Sequence, residues 1–121
     1  MKTLQKNNSD ALTKQPSPSK VLIVGGGPTG LSAAIFCALN GIQAEVWEPK
    51  EGVIDKACGE GLMPAAIKKL QEMGVSIETS HEFLGIRYID NGLVAEGIFP
   101  QGPGQGVRRL VLHKALLKRA K

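Results

Sequence analysis

The residues with the clearest chemical potential are three glycines spaced as GxGxxG directly after an apolar run. The run is Lys20–Val24, and the glycines are Gly25, Gly27 and Gly30. In such a pattern the first glycine permits a sharp turn, the second leaves room for phosphate groups, and the third lets a helix pack close to the strand. The spacing therefore predicts a turn that binds a pyrophosphate.

A helix is predicted to begin at this turn and to direct its N-terminus at the anion. Pro28 suits the first helical turn because its missing N–H would have no partner there, and Thr29 follows it. The unpaired N–H groups and the positive end of the helix dipole favour an anion. The helix should reach Asn40 and end at Gly41 in a left-handed cap.

An acidic residue follows the next predicted strand, Gln43–Trp47. Glu48 lies 18 residues beyond Gly30, close to the spacing of about 20 expected for an acid that binds a ribose. Its carboxylate can accept from both ribose hydroxyls and would repel a 2′-phosphate, which disfavours NADP. Strand, turn, helix, strand and acid together predict a dinucleotide-binding βαβ unit; the alternative is an ordinary glycine loop with a surface acid nearby.

A β-hairpin is predicted further along the chain. Glu82–Asp90 and Leu93–Phe99 flank Asn91-Gly92, the strongest short hairpin signal. The glycine- and proline-rich segment Pro100–Gly106 should form a loop that returns to the nucleotide side. An antiparallel hairpin at this point departs from a continuing parallel sheet.

Two more helices are predicted. One opens at Pro64 and stops at Gly74, and the other includes Arg109 and runs toward the end of the chain. His113 is predicted to be a surface residue of the last helix, and His81 a residue of a polar turn.

Length and charge limit the number of domains and the classes of function that the chain can have. The 121 residues suit a single domain, with residues 1–19 too poor in apolar side chains to fold and predicted to be a disordered tail. The formal charge of +4 arises at the two ends, since the first twenty residues carry +3, the segment from Val107 carries +6 and the remainder −5. Without a continuous basic face that carries aromatic side chains, nucleic-acid binding is not expected.

The cysteines and histidines predict no metal site. Cys37 and Cys58 have no CxxC partner, and neither histidine falls at ligand-like spacing from them. No apolar run approaches the roughly 18 residues needed to cross a membrane, and residues 1–19 lack the apolar centre of a secretory peptide. We therefore expect a cytoplasmic protein.

Three segments carry a family resemblance. Lys20–Glu48 resembles the FAD-binding fingerprint of flavoprotein monooxygenases of the para-hydroxybenzoate hydroxylase type and of the related geranylgeranyl reductases. Asp55–Pro64 is similar to the second flavin-contacting segment of that superfamily, and Gly106–Leu116 to its (Arg/Gln)-x-x-Leu-x-x-x-Leu helix start. The resemblance implies an α/β fold: a Rossmann-like βαβ FAD-binding segment, then a helix and an antiparallel β-hairpin.

The same resemblance implies the cofactor contacts. FAD is the implied cofactor, and residues 20–121 would be the N-terminal part of an incomplete FAD/NAD(P)-binding domain, since complete members are much longer and carry a downstream Gly-Asp-Ala segment. The residues implied to contact the flavin side are Cys58, Gly59, Gly61 and Arg109. The dinucleotide contacts predicted from the turn and the acid are Gly25, Gly27, Pro28, Thr29, Gly30 and Glu48.

The reaction implied for the complete enzyme is hydroxylation of a small-molecule substrate with NAD(P)H and O₂, and the 121 residues alone should be inactive. Many hydroxylases carry an arginine where this chain has Cys58, whereas Cys-Gly-x-Gly-Leu is more similar to the geranylgeranyl reductases, so alkene reduction remains an alternative. No catalytic residue is assigned: Cys58 is either reactive or simply packed beside the cofactor, and Glu60 is either a loop acid or a catalytic one. A non-catalytic nucleotide-binding fragment and an NAD-binding dehydrogenase domain also remain open.

Overall fold

The computed structural model describes residues 20–121, so the predicted tail over residues 1–19 lies outside the described residues. This part of the chain has the following elements in order: β1 (Val21–Val24), α1 (Pro28–Leu39), β2 (Ala44–Trp47), β3 (Gly61–Leu62), α2 (Pro64–Glu72), β4 (His81–Phe83), β5 (Gly85–Asp90), β6 (Leu93–Ile98), β7 (Gly104–Gly106) and α3 (Arg109–Ala120).

The first three elements form a βαβ unit. Strands β1 and β2 pair in parallel, from Val21 opposite Ala44 to Val24 opposite Trp47. Two parallel strands need a crossover connection, which α1 supplies. The helix begins at Pro28 and is ended by Gly41 at a φ of +70°, a left-handed conformation that glycine adopts without steric cost.

The hairpin predicted around Asn91-Gly92 is confirmed. Strands β5 and β6 pair from Gly85 opposite Ile98 to Asp90 opposite Leu93. Asn91 and Gly92 both have positive φ, at 46° and 83°, as a type I′ turn requires.

A small antiparallel sheet was not predicted. Its strand order is β3, β7, β4, so the last three residues of the expected loop Pro100–Gly106 form a strand. The expected strand Glu82–Asp90 is divided at Leu84, with β4 pairing to β7 and β5 to β6. The close approach of β4 and β7 requires a glycine at position 104, since a Cβ there would lie 2.5 Å from the Phe83 ring.

The hydrophobic core lies between the helices. Residues four apart on α1 and on α3 point inward, as expected for helix faces that pack together. The buried members of this cluster are Leu31, Ile35, Leu70, Met73, Val75, Val107, Leu112 and Leu116. The predicted α/β class, with a βαβ unit followed by a helix and a hairpin, is confirmed, and α3 is held against α1 beside the glycine turn.

Candidate functional site

The glycine turn has the geometry that its spacing predicts. Gly25 has a φ of +107°, and its N–H donates to the Trp47 carbonyl at 2.8 Å, so the turn is fixed to the end of β2. At Gly30 a Cβ would lie 1.9 Å from the Gly25 carbonyl oxygen. The backbone conformation at Gly25 and the close contact at Gly30 therefore agree with the steric roles predicted for these two glycines.

Gly27 differs from its neighbours because no contact within residues 20–121 requires a glycine there. Its φ is −72°, which any residue adopts, and a Cβ at this position would meet only Nη2 of Arg109, at 3.9 Å. A side chain would extend into open space beside the first turn of α1. A ligand that needs this space explains the glycine, as the sequence predicts for a pyrophosphate.

The first turn of α1 borders this space and has free hydrogen-bonding capacity. Gly27 is the N-cap and supplies no side-chain cap, Pro28 is the first helical residue, and the turn contains no acidic side chain. Thr29 is exposed on the same turn. The unsatisfied N–H groups and the positive end of the helix dipole make this a favourable place for an anion.

Arg109, the first residue of α3, brings a guanidinium to the same place. Its Nε is buried and has no hydrogen-bond partner among the described residues. A buried donor without an acceptor costs free energy. Nη2 of the same guanidinium borders the space at Gly27, where a bound anion would pair with its charge. The backbone N–H of Arg109 donates to Oε1 of Glu60 at 2.9 Å. Glu60, for which the sequence allowed either a loop position or a catalytic role, therefore fixes the start of α3.

Glu48 lies against the glycine turn. Its Oε2 accepts the Gly26 N–H at 2.8 Å, and its Oε1 accepts the Lys50 N–H at 3.1 Å. The Gly26 bond, and then the Lys50 bond, lower the pKa of the Glu48 carboxyl from its ordinary value because both stabilise the charged form. Each carboxylate oxygen keeps a further lone pair, so the predicted ribose contact is compatible with this geometry.

The second predicted segment is joined to the first through α3. Cys58 and Gly59 are exposed, and Gly61 belongs to β3, which pairs with β7. None of the hydrogen bonds within residues 20–121 links these three residues to the glycine turn. The connection is indirect, since the Glu60 carbonyl accepts the Val107 N–H at 2.7 Å just before α3 begins.

Two residues of this site were missed. A Cβ on Gly26 would lie 2.9 Å from the Cβ of Glu48, so the middle glycine is required for the acid to approach.

The prediction that His113 is a surface residue is wrong: it is 1% exposed, and its ring bonds to Gly26 and Ile54. Its position four residues after Arg109, on the same helix face, is the signal that could have found it. The prediction that His81 lies in a turn is also wrong, since His81 is the first residue of β4.

The fold and the site together define a dinucleotide-binding α/β protein. The sequence profile of the pyridine nucleotide-disulphide oxidoreductase family matches residues 2–99, and the chain belongs to that family. This family assignment, and relatives whose names describe them as FAD-dependent monooxygenases, confirm the predicted membership among FAD-dependent oxidoreductases and FAD as their cofactor.

Curated relatives include reductases and hydroxylases. A menaquinone reductase of Mycolicibacterium smegmatis is 36% identical over 85 residues, which is 69% of this chain and 20% of that protein. A 3-(3-hydroxy-phenyl)propionate/3-hydroxycinnamic acid hydroxylase of Mycobacterium avium is 40% identical over 55 residues, which is 46% of this chain and 10% of that protein. The chain thus spans about a fifth or less of the length of these two relatives.

Solved structures share the fold. The tetrameric form of 2-methyl-3-hydroxypyridine-5-carboxylic acid oxygenase matches with a TM-score of 0.72 and 24% identity, over 86% of this chain and 29% of that one. The 2,6-dihydroxypyridine-3-hydroxylase of Arthrobacter nicotinovorans matches with a TM-score of 0.58 and 21% identity, over 84% of this chain and 26% of that one. None of the helices within residues 20–121 is both long and apolar enough to span a membrane.

Proposed function

We propose that this chain is the FAD-binding portion of an FAD-dependent oxidoreductase, and that the complete enzyme is a flavoprotein monooxygenase that uses NAD(P)H and O₂. The observation that carries the proposal is the open space at Gly27, which the first turn of α1 and Nη2 of the Arg109 guanidinium both border. An anion is the ligand that satisfies all three features, and the GxGxxG turn narrows the anion to a pyrophosphate.

Each part of the ligand has a named partner in this proposal. The turn from Gly25 to Gly30 holds the pyrophosphate, Glu48 accepts from the adenosine ribose, and Arg109 neutralises phosphate charge. The segment Cys58–Gly61 contacts the flavin side. When bound, the flavin supplies the redox chemistry, so no acid or base of this chain is needed as a catalytic residue.

The binding test compares three ligands on the full 121-residue polypeptide by isothermal titration calorimetry. FAD and ADP share the adenosine and pyrophosphate, whereas FMN lacks the adenosine and has a single phosphate. We expect ADP and FAD to bind with similar affinity and FMN to bind more weakly. Tighter binding of FMN than of ADP would contradict the proposed orientation of the dinucleotide.

Alkene reduction is a second candidate for the complete enzyme. The menaquinone reductases match 69% to 81% of this chain, and the hydroxylase of Mycobacterium avium 46%. The Cys58–Leu62 segment also favours a reductase of the geranylgeranyl type. Oxygen consumption by the complete gene product during NAD(P)H oxidation distinguishes the two, because hydroxylation consumes one O₂ per product and alkene reduction consumes none.

A third candidate, a non-catalytic nucleotide-binding polypeptide, would bind ADP and oxidise no NAD(P)H in any context. We further propose a small-molecule substrate and a cytoplasmic location. The support for the location is that Cys37 and Cys58 are both free thiols, as is usual in reducing compartments.

A further inference from the structure

His113 is the one polar side chain within residues 20–121 that is buried, with 1% of its surface exposed. It lies on α3 between Leu112 and Leu116, both of which belong to the hydrophobic core. Burying an imidazole costs free energy unless its nitrogens find partners. The contacts of its two nitrogens therefore indicate what this side chain does.

Both ring nitrogens bond to backbone groups of distant segments. Nε2 lies 2.7 Å from the Gly26 carbonyl oxygen, and Nδ1 lies 3.2 Å from the Ile54 nitrogen. A carbonyl only accepts and an amide N–H only donates, so Nε2 carries the proton and Nδ1 carries the lone pair. This arrangement requires the neutral Nε2–H tautomer.

The bond to Gly26 fixes the orientation of the peptide that leads into Gly27. All peptide bonds of the described residues are trans, and the C=O and N–H of a trans peptide point in opposite directions. With the Gly26 carbonyl turned toward the imidazole, the Gly27 N–H points away from it. No hydrogen bond within residues 20–121 has that N–H as its donor, which leaves it available to an anion.

Gly26 is thereby held at both ends. Its N–H donates to Glu48 at 2.8 Å, and its carbonyl accepts from His113. Arg109 and His113 are four residues apart and lie on the same face of α3. The bond from His113 thus also fixes where Arg109 lies relative to Gly27.

We propose that His113 is a positioning residue of the pyrophosphate site, which aims the Gly27 N–H and the Arg109 guanidinium at the phosphates. This proposal rests on the proposed function of the glycine turn. The second bond, to Ile54, joins the turn to the loop that leads to Cys58 and Gly61. One imidazole therefore links α3 and the glycine turn to the loop that precedes Cys58–Gly61.

The test uses three variants of the full polypeptide with ADP as the ligand. His113→Leu keeps an apolar side chain in the core and removes both bonds. His113→Gln supplies one donor and one acceptor at a separation similar to that of the two ring nitrogens. Leu116→Val perturbs the same helix without touching either bond, and it controls for general destabilisation.

We expect His113→Leu to weaken ADP binding about tenfold or more, and the other two variants to stay within about threefold of the parent chain. In ligand-free protein, ¹⁵N spectra of the imidazole should show the Nε2–H tautomer. The Gly27 amide resonance should shift in His113→Leu and stay in place in Leu116→Val. If His113→Leu does not fold, His113→Gln and the imidazole spectrum of the parent chain carry the test.

Three results would overturn the positioning role: an Nδ1–H tautomer, parent-like ADP binding by His113→Leu, or a loss of ADP affinity of about tenfold or more in folded His113→Gln. Failure of the parent chain to bind either ADP or FAD is a different outcome, because it defeats the proposed function. The tautomer and the Gly27 amide still decide whether His113 orients the turn, since both are measured without ligand.

Discussion

The Gly26 N–H and the Glu48 Oε2 are 2.8 Å apart across 22 residues of sequence. This bond fixes Glu48, which directly follows β2, to the middle of the glycine turn. The residue expected to bind a ribose is therefore also part of the support of the pyrophosphate turn, and the two roles need separate tests.

The ribose role predicts a preference that disappears with the carboxylate. We expect the parent chain to bind ADP roughly tenfold more tightly than 2′,3′-dideoxy-ADP, because the deoxy ligand leaves the carboxylate without its charge-assisted bonds. Glu48→Ala should bind both ligands equally, as measured by calorimetry. Glu45→Ala, which removes an acid within β2 three residues before Glu48, is the matched control and should keep the preference. If Glu48→Ala retains it too, another group contacts the ribose.

The turn-supporting role predicts a dependence of stability on pH. The pKa of Glu48 is lowered in the folded chain by its bonds to Gly26 and Lys50. The carboxylate therefore contributes stability at pH values above the ordinary pKa of a glutamate, and this contribution is lost as the pH falls toward the lowered value. We expect the free energy of unfolding of the parent chain to exceed that of Glu48→Gln at neutral pH, and the difference to shrink on acidification. A difference that is constant with pH would argue against the lowered pKa.

The second glycine of the turn should matter for binding and little for folding. Gly27→Val has an allowed backbone conformation, and its Cβ meets no described atom closer than Nη2 of Arg109 at 3.9 Å, yet its side chain would enter the space assigned to the phosphates. We expect a loss of ADP affinity of more than about tenfold with a nearly unchanged melting temperature. Gly97→Val is the control, because a Cβ there meets nothing within 4 Å and the position lies on the hairpin. Equal ADP binding by Gly27→Val and the parent would mean that the phosphates lie elsewhere.

Gly30 should behave in the opposite way. A Cβ at this position would lie 1.9 Å from the Gly25 carbonyl oxygen, so Gly30→Ala must separate α1 from the turn. We expect a loss of stability of about 1–3 kcal/mol, as for other overpacked sites, measured by urea unfolding. A variant as stable as the parent would show that the helix and the turn can move apart at little cost.

The 121-residue polypeptide should bind FAD weakly. In the proposed site, residues 20–121 would contact the adenosine, the pyrophosphate and the start of the flavin side, while an isoalloxazine ring contributes much of the apolar area that a flavin site buries. We expect a colourless protein on purification, a Kd for FAD of about micromolar or weaker, and no NAD(P)H oxidation above that of free flavin. A yellow protein with one FAD per chain that oxidises NADPH would show that these residues suffice as a flavoenzyme.

Local signals in the sequence account for much of this fold. The turn from Gly25 to Gly30, the start of α1 at Pro28 and the hairpin at Asn91-Gly92 depend on residues close together in the chain, whose types restrict the backbone. The pairing of β7 was not predicted because Gly104–Gly106 has no strand propensity. It arises from packing against Phe83, about twenty residues away.

The residues of the candidate site also divide into those that local sequence predicts and those that depend on distant parts of the chain. The roles of Gly25 and Gly30 follow from their spacing, because the steric constraint is local. The burial of His113 depends on backbone partners 59 and 87 residues distant. Its position on the same helix face as Arg109 is a local signal, but that signal does not identify these partners. Gly26 was missed for a related reason, since the restriction on its side chain comes from Glu48.

The hairpin of β5 and β6 has a consequence for the laboratory. Large apolar side chains are exposed on both of its faces, among them Tyr88, Ile89, Leu93 and Val94, and its two strands pair only with each other within the described chain. Unpaired strand edges with apolar side chains promote association between molecules. We therefore expect charged substitutions on the exposed faces of this hairpin to raise the concentration at which the purified polypeptide stays free of aggregates.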